Sequence, residues 1–180
     1  MNTEPIAVRC FRETDIAPLV RILTANGQYD FPEVEGPEAM RRVGLCSAAV
    51  FLCAEIDNKV AGCIRATYDG ARAIIHLLSV DPQFQKQNIG RTLVRAACTE
   101  LKHRGAPTVA VTATQDSQSY WEGLDFELLP VFLMLKTGAP SPCSCPIALN
   151  QSFKQASSCE PGTAQNGNLL QTEPPSSNCL

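Results

Sequence analysis

Hydrophobic positions divide the first 136 residues into stretches of two periods. Ile6–Cys10 is a short apolar run of strand length. Ile16, Leu19, Val20 and Leu23 then follow the i, i+3, i+4, i+7 spacing of a buried helix face, with Thr14 or Asp15 placed to cap it. A loop rich in Gly, Pro and acids follows from Asn26 to Pro37, and a short helix is expected from about Glu38. The period next falls to two. Ala49–Glu55, Val60–Tyr68 and Arg72–Val80 read as three strands, separated by the turn signals Asp57-Asn58-Lys59 and Asp69-Gly70. That spacing predicts an antiparallel meander.

After Pro82 the helical period returns. Ile89, Leu93, Val94, Ala97 and Leu101 line one face of a helix expected to run to about His103 and to stop at Gly105 and Pro107. Thr108–Thr112 is a β-branched strand entered from a helix, which predicts that it lies parallel to Arg72–Val80. Asp116 or Ser117 caps a short helix through Glu122, and Glu127–Lys136 reads as a closing strand. The expected architecture is α/β, with a mixed, mostly antiparallel sheet flanked by helices.

Composition changes this picture at one point. Residues 137–180 hold six of the thirteen prolines, one basic residue (Lys154), two acids (Glu160, Glu173) and one aromatic (Phe153). Such a segment cannot bury enough apolar surface to offset its ordering entropy. The expected organisation is therefore a folded domain over 1–136 and a flexible low-complexity tail over 137–180. Cys179 stands one position from the end, which does not fit the CaaX lipidation pattern.

Charge and cysteines exclude several classes. Fifteen basic and eighteen acidic residues are intermixed, with a net charge of −3, so no basic face for nucleic acid is expected. No apolar run approaches the roughly 18 residues of a membrane span, and the N-terminus carries no secretory pattern. Nine cysteines are odd in number and match no disulfide or zinc spacing; no metal site is expected. Reduced thiols and the absence of a leader point to the cytosol.

Chemistry concentrates in Ile74–Thr92. A strand ends at Val80, Asp81-Pro82 turns the chain, and a helix begins near Asn88 or Ile89. The intervening Gln85-Lys86-Gln87-Asn88-Ile89-Gly90 contains Asn and Gly, which tolerate the left-handed backbone that lets successive N–H groups converge. The helix N-terminus adds unpaired N–H groups and the positive end of its dipole, and Lys86, Arg91 and Arg95 add charge. This is a place for a pyrophosphate. The same string also suits an ordinary turn capping an ordinary helix.

Val80-x-Pro82-x-x-Gln85-x-x-Asn88-x-Gly90-x-x-Leu93 resembles the acetyl-CoA-binding motif of the GNAT superfamily of acyl-CoA-dependent N-acyltransferases. Asn88 stands where the family pattern has its first glycine. Tyr120-Trp121-Glu122-Gly123-Leu124-Asp125-Phe126 resembles a second family segment, and the element order over about 4–136 also fits. The small bacterial branch of RimI-like and YpeA-like members is most similar. The resemblance implies a sheet whose two central strands splay apart, with the pantetheine arm of acetyl-CoA in the gap. Leu78, Ser79 and Val80 would form a bulged strand whose backbone bonds the arm. Gln85, Lys86, Gln87, Asn88, Ile89 and Gly90, with Arg91 and Thr92, would hold the pyrophosphate. The activity implied is transfer of acetyl to an amine acceptor, small molecule or peptide; a homodimer is compatible with it. A non-catalytic acyl-CoA sensor or interaction module is the alternative.

Acetyl transfer to an amine needs a base for the amine proton and gains from an acid for the departing thiolate. His76 has the pKa suited to the first task, and in serotonin N-acetyltransferase-like members a strand histidine matches its position. Ile74 stands where many members carry Glu. A packed imidazole is the other reading of His76. The family's acid is a tyrosine at the position of Trp121; here the tyrosine is Tyr120, about 100° away on a helix. Both aromatics also suit plain packing. The loop acids Asp30, Glu33 and Glu35 would favour a cationic acceptor, or form a solvated loop.

Overall fold

Turn chemistry and alternation set the centre of the fold. In the computed structural model, which describes residues 5–130, strand β1 (Ala7–Cys10) precedes a 3-10 turn at Glu13–Asp15 and helix α1 (Ile16–Ala25). Two short helices follow, α2 (Pro32–Glu35) and α3 (Pro37–Gly44). Strands β2 (Ala49–Ile56), β3 (Lys59–Tyr68) and β4 (Ala73–Val80) form the expected meander. Asp57 and Asn58 both have positive φ, 51° and 59°, the backbone of a two-residue hairpin turn matched to the strand twist. Helix α4 (Ile89–His103), strand β5 (Val109–Val111) and helix α5 (Gln118–Glu122) complete the described elements.

The five strands lie in the order β1-β2-β3-β4-β5, antiparallel except for β4 and β5. β5 runs parallel to β4, as a strand entered from a helix must when it returns beside its predecessor. Alternate residues of β2 and β3 face opposite layers. Val50, Leu52, Ala54, Ile64 and Ala66 pack with Ile89, Leu93, Ala97 and Leu101 of α4. Phe51, Cys53 and Cys63 pack with Leu19, Ile22 and Leu23 of α1 and Met40 of α3. Each fully buried Leu or Ile contributes about 2 kcal/mol by removal from water, so each helix is held mainly by its apolar stripe.

Asp15 does not serve α1 as a side-chain cap. It is 2% exposed, and its carboxylate accepts two bonds from Arg9 (2.7 and 2.8 Å) and one from the Arg12 N–H (2.7 Å). The Asn26–Pro37 stretch, expected to be loop, contains α2, started by Pro32 at a first-turn position that lacks only an unneeded N–H. Residues Glu127–Pro130 are irregular rather than the start of a strand; the rest of that expected strand, the boundary at 136 and the tail lie outside the described residues. Among the described residues Cys10, Cys46, Cys53, Cys63 and Cys98 are free thiols. No helix among them is long and apolar enough to cross a membrane.

Candidate active site

The site begins with a shortage of partners along β4. β5 pairs only with Ala73, Ile74 and Ile75, and its last contact is Thr112, whose N–H donates to the Ile75 carbonyl at 3.0 Å. From His76 to Val80, β4 has β3 on one side and, among the described residues, no strand on the other. The Asp81 N–H donates to Ala61 O at 2.8 Å, so 61 and 81 form a hydrogen-bonded pair. Pairs alternate along an antiparallel ladder. Gly62–Val80 and Ile64–Leu78 are therefore the non-bonded pairs, and the main-chain groups of Leu78 and Val80 point away from β3 into the gap.

β4 also carries an irregularity. Arg65 pairs with Leu77 but Ala66 pairs with Ile75, leaving His76 as the extra residue of a β-bulge. The bulge thus falls at His76, not within Leu78–Val80 as the resemblance implied. One unpaired residue reverses the facing of the residues after it: Ile75 belongs to the α4 core, Leu77 to the α1 core. Simple alternation would place Ile74, His76 and Leu78 on one strand face; the bulge breaks that register.

A cleft of about 600 Å³ opens at the gap. His76, Leu78, Ser79, Val80, Gln85, Lys86, Asn88, Ile89, Gly90, Arg91 and Tyr120 border it. Gln87 and Thr92 do not. Thr92 turns its hydroxyl to Asn88 O (3.0 Å), and the Gln87 carboxamide reaches back toward Gln83 O (3.5 Å). Lys86 and Asn88 both adopt left-handed backbone, with φ of 62° and 64°. Asn88 makes no side-chain cap, and the Thr92 N–H is the first to reach back to Asn88 O. The N–H groups of Ile89, Gly90 and Arg91 are thus the free donors of the first turn of α4. Gly90 is held small by its neighbour: a Cβ there would stand 2.6 Å from the Tyr120 hydroxyl.

His76 Nε2 lies 2.8 Å from Thr67 Oγ1. Burial, reinforced by the Arg65 guanidinium, pushes the imidazole below its usual pKa, so the neutral ring is favoured. Arg65 is itself held by Glu35 at 3.0 Å. Glu35 is consequently an ion-pair partner on α2, not part of a freely solvated acidic loop. Tyr120 brings its hydroxyl to α4, and burial raises its pKa against the opposing charge of Arg91, keeping the proton on. Trp121 borders the same cleft but is 7% exposed and packs edge-on against Phe126 at 5.3 Å. Asp125 holds the left-handed φ of 66°.

Of the bordering residues that the sequence reading did not single out, Asn26 and Gln28 bond directly to β4. Asn26 Nδ2 donates to Ser79 Oγ (2.8 Å) and Val80 O (2.9 Å), and Gln28 Nε2 donates to Leu78 O (3.2 Å). Gln85 Nε2 also reaches Val80 O and Asn26 Oδ1, each at 3.2 Å. Asn26 and Gln28 flank Gly27, whose φ of 64° ends α1. The Gly27 N–H donates to Thr24 O and the Gln28 N–H to Leu23 O, the paired bonds of a Schellman cap. Asn26-Gly27 was the available signal for this C-cap.

The acetyltransferase (GNAT) family pattern matches residues 19–126. An acetyltransferase of Photorhabdus laumondii subsp. laumondii is 26% identical over 112 residues, covering 62% of this chain and 78% of its own. The N-acetyltransferase PaiA of Thermoplasma acidophilum, solved with coenzyme A, superposes with a TM-score of 0.58 at 19% identity, over 67% of this chain and 87% of that one. An aminoglycoside N-acetyltransferase solved with CoA gives 0.64 at 14% identity, over 77% of this chain and 98% of its own. With a family match across most of the described residues, and a sheet whose fourth and fifth strands part beside the phosphate-type loop, the chain belongs to the GNAT acetyltransferase family.

Proposed function

We propose that this chain is an acetyl-CoA-dependent N-acetyltransferase that moves acetyl to a primary amine by direct attack on the thioester. The observation that carries the reading is the cleft, where an unpaired strand edge, a first helical turn with free N–H groups and a neutral-favouring imidazole meet. The residues present fit the donor. Lys86, Asn88 and the N–H groups at Ile89–Arg91 suit a pyrophosphate, and the gap-facing N–H groups of Leu78 and Val80 suit the carbonyls of a pantetheine arm. Acetyl-CoA, when bound, supplies an acetyl group already activated as a thioester.

This chain supplies the proton handling. His76 is the base: its neutral ring takes a proton from the acceptor's ammonium, directly or through water, and so frees the amine lone pair that attacks the thioester. Thr67 fixes one ring nitrogen, so the ring has one preferred setting. The Tyr120 hydroxyl, protonated and bordering the cleft, is the group positioned to return a proton to the leaving sulfur. Trp121 has only an indole N–H and cannot do so near neutral pH.

The second reading is an acyl-CoA-binding module without catalysis, favoured by Trp121 in the tyrosine position and Ile74 in the place of an acid. A CoA-release assay against polyamines, amino acids and peptides separates the two. Amine-dependent thiol release supports catalysis; tight CoA binding with no release for any amine supports the module.

A further inference from the structure

His76 has two ring nitrogens, and the fold engages one of them. Nε2 lies 2.8 Å from Thr67 Oγ1, while Nδ1 has no hydrogen-bond partner among the described residues. Thr67 belongs to β3 and pairs with Ile74, so it meets the ring diagonally across the ladder. Its hydroxyl has no second partner among the described residues. The contact is therefore a single hydrogen bond between two side chains, and its direction decides which nitrogen of the neutral ring is bare.

The two directions differ once a proton arrives. If the hydroxyl donates, Nε2 is the bare nitrogen and its one lone pair is already covered. Taking a proton would then require Thr67 to release the ring and rotate its hydroxyl. If the hydroxyl accepts, Nε2 carries hydrogen and Nδ1 keeps its lone pair. A proton leaving the ammonium nitrogen for Nδ1 then keeps the Nε2–H bond to Thr67 in place and makes it charge-assisted. Only the second direction holds one ring geometry in both protonation states.

We infer that Thr67 is a positioning residue that accepts a hydrogen bond from His76 Nε2–H, so that Nδ1 is the atom that takes the proton of the attacking amine. This rests on the reading of His76 as the base. Arg65 of β3 opposes charge on the ring, and Glu35 of α2 offsets Arg65. Lys86, Arg91 and Tyr120 border the same cleft. Among the described residues none of these groups bonds a ring nitrogen, so Thr67 alone sets the tautomer.

The test reads the ring directly, on the full chain. There are two histidines, so His103→Gln leaves His76 as the single imidazole. Long-range nitrogen–proton NMR at a pH where the ring is neutral should show hydrogen on Nε2 and a bare Nδ1. Thr67→Val removes the oxygen at nearly constant shape. It should lower the acid-limb midpoint of kcat/KM, because the imidazolium loses a bond that favoured it; a donating hydroxyl would give the opposite shift. kcat should fall roughly three- to tenfold, the worth of one hydrogen bond, with the KM for acetyl-CoA unchanged. Thr67→Ser should recover most of the loss. Hydrogen on Nδ1 of the neutral ring, a raised midpoint in Thr67→Val, or a Thr67→Ser rate no better than that of Thr67→Val would overturn the inference while leaving His76 as the base. An unaffected His76→Gln rate would overturn both. Should Thr67→Val fail to fold, Thr67→Ala is measured in its place against the same outcomes.

Discussion

His76 occupies the extra position of β4, where a bulge turns its side chain toward the cleft and Thr67 holds its ring. Arg65 from β3 is the charged group that opposes its protonation, and Glu35 from α2 neutralises part of that charge. An amine attacks only when neutral, and His76 accepts a proton only when itself neutral. Because its folded pKa lies below the ordinary 6.5, the acid limb of kcat/KM should have its midpoint below 6.5. His76→Gln keeps hydrogen-bonding shape but cannot take a proton near neutrality. A fall in kcat/KM of about 100-fold or more is expected, with coenzyme A affinity preserved and part of the rate regained at higher pH. A wild-type acid limb centred above 6.5, or an unaffected His76→Gln rate, would remove the assignment.

Among the elements, α4 concentrates the donor chemistry in its first turn. Gly90 sits there against the Tyr120 hydroxyl, which any side chain at this position would have to displace. Gly90→Glu would place bulk and a negative charge where the free N–H groups converge, so acyl-CoA binding should fall beyond detection by calorimetry while the melting transition persists. Unchanged affinity would show that the anion binds elsewhere. The extent of α4, the Asp57-Asn58 hairpin and the parallel entry of β5 were all legible because each is written within a few consecutive residues. The carboxamide contacts were not, since Gln28 and Leu78 meet across 50 positions of sequence. The bulge was equally hidden, because Ile75, Leu77 and Ser79 alternate as smoothly as any regular strand. The pyrophosphate loop could be read from its residue types, but the side-chain directions of Gln87 and Thr92 depend on the turn that only the folded backbone fixes.

At the scale of the whole molecule, β1 is an edge strand fastened by charge as well as by its ladder. Arg9 joins Asp15, before α1, to Glu55 on β2. Burial alone would raise the Asp15 pKa, but the bonds from Arg9 and the Arg12 N–H outweigh it and the net shift is downward from 3.8. A carboxyl held low in the native state adds stability above its unfolded pKa and loses it as pH falls through the folded one. The melting temperature should therefore drop on acidification below about pH 4, and Asp15→Asn should flatten that dependence. Removing the carboxylate outright in Asp15→Ala should cost roughly 3 kcal/mol, since it strips a buried partner from Arg9. A pH-independent melt through this range would exclude the ion pair as a contributor.

The extra residue in β4 has a consequence for how this strand can change length. Before the bulge the odd-numbered Ala73 and Ile75 face the α4 layer; after it Leu77 faces the α1 layer, and the even-numbered Leu78 and Val80 face α4. The strand therefore has a phase, reset once at His76. Losing or gaining a single residue there would leave every neighbour chemically suitable yet deliver it to the wrong compartment, whereas a change of two would restore the reading frame. Variation in this strand is quantised in steps of two, and the residue proposed to carry the proton is the one that sets the count.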